Sequence, residues 1–274
     1  MAKHALITSH GTDNSLGSAV ISALVAAVAA ELPEYSVHET YVDVQQPQVP
    51  QVLAELIAAD PTGEFEVVPL LLGTGFHVRN DIAQAIRDLQ AVHPEAHIGL
   101  SRALNDDPAV ISLLVSRLFA AADGGLQPSD IVVFATAGSS DTEAVARVTD
   151  LYLDFAQAVE QASPGTRTEL AFLSAAEPRL KDLVPKLKFQ NPKARVLVAT
   201  HLLAPGFFND LANKAGAHKV AEPLLAPNQP APRELVQLVA KRVREAAEPA
   251  TSLGCVKPFG PAWSCVSGCS KPCG

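Results

Sequence analysis

Basic residues are scarce and scattered: 21 Lys and Arg stand against 29 Asp and Glu, for a net charge of -8 and a pI near 5.5. Binding a phosphate backbone needs clustered Lys and Arg, so a nucleic-acid partner is excluded. The first 254 residues hold no cysteine, and no disulfide braces the main body. No apolar run reaches the roughly 18 residues of a membrane span. Met1-Ala-Lys-His leads straight into the strand-like Ala5–Ser9 without a charged, apolar, small-residue leader. The expectation is a cytoplasmic protein with no membrane partner. An anionic small molecule remains compatible with the acidity, because a few local Arg, Lys and backbone N–H groups are enough to meet it.

Of the 274 residues, 48% are hydrophobic, enough for one large core or two smaller ones. Short apolar runs alternate with segments of helical period, the mark of βα units wound about a parallel sheet. In the first half, strands are expected at 5–9, 36–41, 65–72 and 96–100, with helices near 16–31, 49–59, 80–91 and 108–122. Asp123–Asp130 reads as a linker. The rhythm then returns, with strands near 131–135, 168–173, 195–203 and 218–221 and helices near 142–162, 179–187, 208–215 and 232–247.

Three ordered landmarks make this a duplication. Leu6–Thr12 lies over Val133–Ser139, Thr40–Pro47 over Ala171–Pro178, and Leu72–His77 over Leu203–Phe208. The offset is 127 residues at the first and 131 at the other two, so the second copy carries a four-residue insertion. The expected architecture is α/β: two similar doubly wound parallel-sheet domains, 1–125 and 126–248, facing a central cleft, followed by a Cys-rich tail at 249–274.

Ligands of open parallel sheets bind beyond the carboxyl ends of the strands. His10 follows the first strand, Asp43 the second and His77 the third, a set suited to a borderline divalent ion such as Fe, Co, Ni or Zn. Their counterparts in the second copy are Ala137, Ser174 and Phe208, none of them ionisable. One copy thus keeps the chemistry and the other the walls. Gly11 after His10, and Gly73 and Gly75 before His77, would let a flat ligand approach the backbone. Arg79 and Asn80, preceding a helix opened by Asp81, would offer a guanidinium and a helix N-terminus to a carboxylate. The remaining histidines read as structural. Of these His201, aligned with Leu70, reads as a core or cleft-wall residue.

At these residues the chain resembles the class II chelatases, the ATP-independent family of sirohydrochlorin and cobalt-precorrin chelatases. The match lies in Ser9-His-Gly-Thr12, in Val68-Pro-Leu-Leu-Leu-Gly-Thr-Gly-Phe-His-Val-Arg-Asn-Asp-Ile82, in Asn105-Asp-Asp-Pro108 and, in the second copy, in Ala171–Pro178. The resemblance implies a lyase that inserts Fe2+ or Co2+ into sirohydrochlorin, an acidic tetrapyrrole. It makes His10 and His77 the metal-handling pair. Asp43 stands where many members carry glutamate, its charge retracted by about one methylene. Substrate contacts fall to Gly11, Gly75 and Arg79. A monomer is expected, since the two halves mimic a dimer.

Insertion must strip water from the ion and remove two pyrrole N–H protons. A neutral imidazole suits both tasks, holding an ion weakly and taking a proton near pH 7, its ordinary pKa being about 6.5. Iron is the preferred ion, giving sirohaem, because the chain lacks the histidine-rich stretch of cobalt-loading relatives. A cobaltochelatase of cobalamin synthesis and a non-catalytic tetrapyrrole or metal carrier are the alternatives.

Cys255, Cys265, Cys269 and Cys273 crowd into the tail after a Pro- and Gly-rich stretch. Four thiols so close in a cytoplasmic protein suggest an iron-sulfur cluster or Zn site, although the spacing follows neither paired CxxC zinc motifs nor the common ferredoxin runs.

Overall fold

The computed structural model describes residues 2–73, 76–105 and 107–247, with the backbone alone for residues 76–80. The first copy runs β1 (Lys3–Ser9), α1 (Ser15–Glu31), β2 (Ser36–Tyr41), α2 (Val49–Ala59), β3 (Glu64–Pro69), α3 (Phe76–Val92), β4 (His97–Leu100) and α4 (Pro108–Ala121). The second runs β5 (Ile131–Thr136), α5 (Thr142–Ala162), β6 (Arg167–Phe172), α6 (Leu180–Gln190), β7 (Val196–His201), α7 (Phe207–Asn213), β8 (Lys219–Val220) and α8 (Arg233–Ala247). Each makes a four-stranded parallel sheet, ordered β2-β1-β3-β4 and β6-β5-β7-β8.

Both strand faces are apolar because helices cover both. Along β1, Ala5 and Ile7 enter a core shared by the two copies, while Leu6 points into an outer core with Val67 and Leu53. Along β5, Val132 and Phe134 face the shared core, and Ile131, Val133 and Ala135 face a second outer core. The duplication extends to single hydrogen bonds past the strand ends. Val42 and Asp43 N–H donate to the Ser9 and His10 carbonyls at 3.0 and 3.1 Å, as Leu173 and Ser174 N–H donate to those of Thr136 and Ala137 at 2.8 Å each.

Two apolar runs that read as strand do not extend the sheets. β3 stops at Pro69, which has no N–H to continue a ladder, and β7 stops at His201. Leu70–Leu72 and Leu202–Leu203 are apolar because they line a cavity between the sheets. Helix α3 begins at Phe76, directly after Gly75, the last helix-disfavouring residue there. Arg79, Asn80 and Asp81 therefore lie inside the helix rather than ahead of it, which corrects the expected N-terminus at Asp81.

Packing crosses between the two copies. Helix α4 lies against β7, β8 and α5 of the second sheet, and α8 lies against β3, β4 and α1 of the first. A Cβ added to Gly99 would strike the Ala246 carbonyl, so α8 sits directly on β4. From α4, Arg117 donates to the Leu224 carbonyl at 2.9 Å and to Gln229 Oε1 at 2.6 Å. From α8, Lys241 reaches Asp107, the N-cap of α4, at 3.0 Å. Each sheet is thus completed by the last helix of the other copy.

Glu66 of β3, 3% exposed beneath α8, has its carboxyl pushed up to about 7 by burial, with the neighbouring Glu64 adding to the effect.

Because the helices are exchanged, residues 1–125 or 126–248 expressed separately are expected to yield no folded monomer, only unfolded chain or a dimer exchanging its last helix. Light scattering with circular dichroism checks this, and a stable monomeric half would contradict it. For Glu66 the folded-state pKa lies above the unfolded one, so its relative contribution is fully present below about pH 4.5 and lost as pH rises through about 7. Glu66→Gln should therefore gain on the wild type between pH 5 and 8, by up to roughly 3 kcal/mol, in urea unfolding followed across pH.

Candidate functional site at the facing strand ends

A cavity of about 670 Å³ opens where the carboxyl ends of β1 and β3 face those of β5 and β7. That volume lies within the range of small-molecule sites, roughly 300–1,000 Å³. The lobes touch beside it: a Cβ on Gly17 of α1 would strike the Pro205 carbonyl.

His10 is the first residue after β1, lines the cavity and is exposed. Its backbone is held by the hydrogen bond from Asp43 N–H. Gly11 turns the chain at φ +91°, and a Cβ there would come within 2.5 Å of the Asp43 carbonyl. Only glycine combines that φ with that approach. Beyond it, Gln45 Oε1 accepts from Thr12 N–H at 2.8 Å, and Asn14 caps α1 by accepting from Gly17 N–H at 2.9 Å. The imidazole thus stands on a loop braced from both sides.

The other expected residues fare differently. Asp43 is exposed and its Oδ1 accepts from Val44 N–H at 2.8 Å. Val44, rather than Asp43, appears in the cavity wall from this turn. The His77 and Arg79 side chains, all of Gly75, and Cys255, Cys265, Cys269 and Cys273 lie outside the described residues. Position 77 itself falls in the first turn of α3. Ala137 and Phe208, sequence counterparts of His10 and His77, line the opposite wall, so that wall has a methyl group where the first copy has the His10 imidazole. Among the described residues no cluster of three or more His, Cys, Asp or Glu is placed to hold an ion, and no helix is long and apolar enough to cross a membrane.

Among the lining residues that sequence reasoning missed are Asp13, Val44 and Phe207. Asp13, an exposed carboxylate, is three positions past His10 on the same loop, just beyond the residue that the strand-end rule inspects. Val44 is 57% exposed with φ +53°, a conformation that costs a β-branched residue of order 1–3 kcal/mol. Phe207, 69% exposed, opens α7 from the other lobe. Neither apolar rim residue carries a spacing signal.

His4 and His38, which read as structural in the sequence, face each other with Nδ1 and Nε2 3.1 Å apart, and His4 stacks on Phe65. This pair belongs to β1 and β2 near the strand ends opposite the cavity.

The CbiX family model matches residues 4–121 and again 131–246. The chain belongs to the CbiX family. Its two matches coincide with the two copies, as the resemblance carried by Ser9–Thr12 and Val68–Ile82 implied. Among solved structures, SirB from Bacillus subtilis with Fe3+ superposes at a TM-score of 0.73 with 22% identity, over 93% of this chain and 98% of that one. The sirohydrochlorin chelatase SirB from Bacillus subtilis subspecies spizizenii in complex with cobalt follows at 0.68 and 18%, over 92% and 98%. A structure described as CbiX, the terminal enzyme for biosynthesis of siroheme in denitrifying bacteria, gives 0.60 and 19%, over 89% and 99%. At these identities the solved structures establish the shared two-lobed fold. A comparison with curated proteins finds no match.

Proposed function

We propose that this CbiX-family chain is an ATP-independent sirohydrochlorin chelatase, a lyase that exchanges two pyrrole protons for one divalent ion. The observation that carries the reading is His10 at the rim of a two-walled cavity whose second wall has lost its own counterparts. Two of the fold relatives hold Fe3+ or cobalt, and one acts in sirohaem synthesis.

The substrates are the ring and the ion. His10, exposed beside the cavity, receives a hydrated ion, sheds part of its water to one imidazole bond and passes it to the ring. With His77 it then accepts the displaced protons and releases them to solvent. Few protein ligands suit delivery, since a closed four-ligand site would retain the metal. Asp43 steadies the turn that holds the His10 backbone, and its carboxylate orients an imidazole or carries charge away during insertion. The apolar walls strengthen the few polar contacts by excluding water. Gly11, Gly75 and Arg79 contact the ring and its carboxylates. Both walls come from one chain, so a cytoplasmic monomer suffices.

Iron is the preferred ion, and cobalt insertion uses the same residues. The four cysteines supply a tail iron-sulfur or Zn site, or a tail that donates metal. Should the cavity bind the ring without metallating it, the protein is a carrier instead.

Single His10→Ala and His77→Ala substitutions should each lower insertion of Fe2+, Co2+ or Ni2+ at least a hundredfold, followed by the absorbance change of sirohydrochlorin, with the melting temperature unchanged. A double variant working at the wild-type rate would end the proposal. Anaerobically purified protein is expected to be coloured and to release acid-labile sulfide if the tail holds a cluster. Colourless protein with stoichiometric Zn indicates the alternative, and loss of either signal in a chain ending at 248 places it in the tail.

A further inference from the structure

Two apolar side chains stand exposed at the cavity, one on each lobe. Val44 follows β2 in the first lobe, Phe207 opens α7 in the second, and both line the cavity. Val44 is held at φ +53°, a backbone conformation that a β-branched residue rarely adopts. The turn does not require a branched side chain. In the second copy Ala175 occupies the equivalent position at φ +59°, and Ala176 N–H donates to the Ser174 carbonyl just as Gln45 N–H donates to that of Asp43. The same turn is therefore built around a methyl, and Ala175 lies outside the cavity wall. Strain kept without a need of the fold points to a use for the side chain. That side chain sits beside the His10 loop, since a Cβ added to Gly11 would come within 3.2 Å of Val44 Cβ. On the opposite wall Phe208 meets Phe207 edge-on, with centroids 5.4 Å apart and planes at 66°, and steadies its exposed ring.

An acidic tetrapyrrole is apolar on its two flat faces and carries its carboxylates around the rim. The faces gain by leaving water and the carboxylates do not, so such a ring enters a cavity partway, with its outer rim still wet. Resting on the chelatase reading, we propose that Val44 and Phe207 are the two lips of the cavity and grip opposite faces of the macrocycle, Val44 through its methyls and Phe207 by stacking. Both groups meet water on their own and are covered when a flat molecule stands between them. Because the lips belong to different lobes, they select a thin ligand and hold it level with the His10 loop, where the ion is handed over. Neither side chain exchanges a proton or offers a lone pair to an ion. Their contribution is therefore to ring binding and not to the chemical step.

The test uses the full chain as wild type, Val44→Ala, Val44→Leu, Phe207→Ala and Phe207→Tyr. Val44→Ala copies the residue of the second copy, Val44→Leu keeps an apolar contact without the branch at Cβ, and Phe207→Tyr keeps the aromatic face. Free-base sirohydrochlorin, titrated without metal and followed by its absorbance, should bind Val44→Ala about fivefold and Phe207→Ala about tenfold more weakly. Val44→Leu and Phe207→Tyr should recover most of each loss. With Co2+ as the inserted ion, KM for the ring should rise by the same factors, while kcat and KM for Co2+ stay within about twofold. The melting temperature of Val44→Ala should hold or rise, because strain is relieved as the contact is lost. Unchanged ring affinity in either Ala variant would overturn the paired grip. A fall in kcat or in Co2+ affinity with ring affinity kept would also overturn it, by placing the residues in metal handling. So would a lower melting temperature of Val44→Ala, which would make the side chain a part of the fold. Failure of the wild type to bind or metallate the ring removes the chelatase reading itself, whereas a competent wild type beside unaffected Ala variants removes the lips alone.

Discussion

The cleft depends on the exchange of α4 and α8 between the two sheets. Each helix buries its apolar face on strands of the other copy, and the central core runs without a break from Ala5 and Ile7 through Leu114 and Leu118 to Phe134, Val239 and Val243. Hydrophobic burial is proportional to area and indifferent to chain order, so a sheet accepts a helix from either copy if the face fits. Placing the strand ends of β1 and β3 opposite those of β5 and β7 then follows from how the two sheets share that core. Separating the lobes would expose both inner helix faces at once, which makes the cavity a property of the whole molecule.

On this scaffold the functional loop is held by polar contacts rather than by packing. The His10 carbonyl is fastened to the turn after β2, Gln45 reaches Thr12, and Asn14 starts α1, so the loop is braced while His10 stays exposed. The braced loop and the dry wall divide the chemistry. An exposed imidazole exchanges protons and ions with water. His201 of the other lobe is instead enclosed against Phe134 and shielded from water. Duplication allowed this division, because a residue lost from one copy is lost from one wall only.

Much of the architecture was legible in the sequence because both of its governing patterns are local. Strand and helix periodicities located the sixteen elements of the described residues in order, and the offsets between Leu6–Thr12 and Val133–Ser139 and the other landmarks revealed the copies before any contact was known. The place of His10 at the cavity was legible too, since ligands of parallel sheets bind beyond the strand ends. Errors arose where one residue type serves two purposes. Leu70–Leu72 and Leu202–Leu203 are as apolar as strands, but they coat a cavity. Val78, Arg79 and Asn80 resemble a loop before a helix, yet nothing after Gly75 prevents the helix from beginning at Phe76.

The sequence alone determined the duplication, the parallel α/β units and the absence of ionisable counterparts to His10, Asp43 and His77 in the second copy, because these are matters of order and period along the chain. Tertiary structure decided which sheet α4 and α8 cover, that Val44 rather than Asp43 enters the cavity wall, and that His201 keeps an unpaired nitrogen there. Those outcomes depend on contacts between residues far apart in the chain, where burial and hydrogen-bond geometry, not local pattern, select the arrangement.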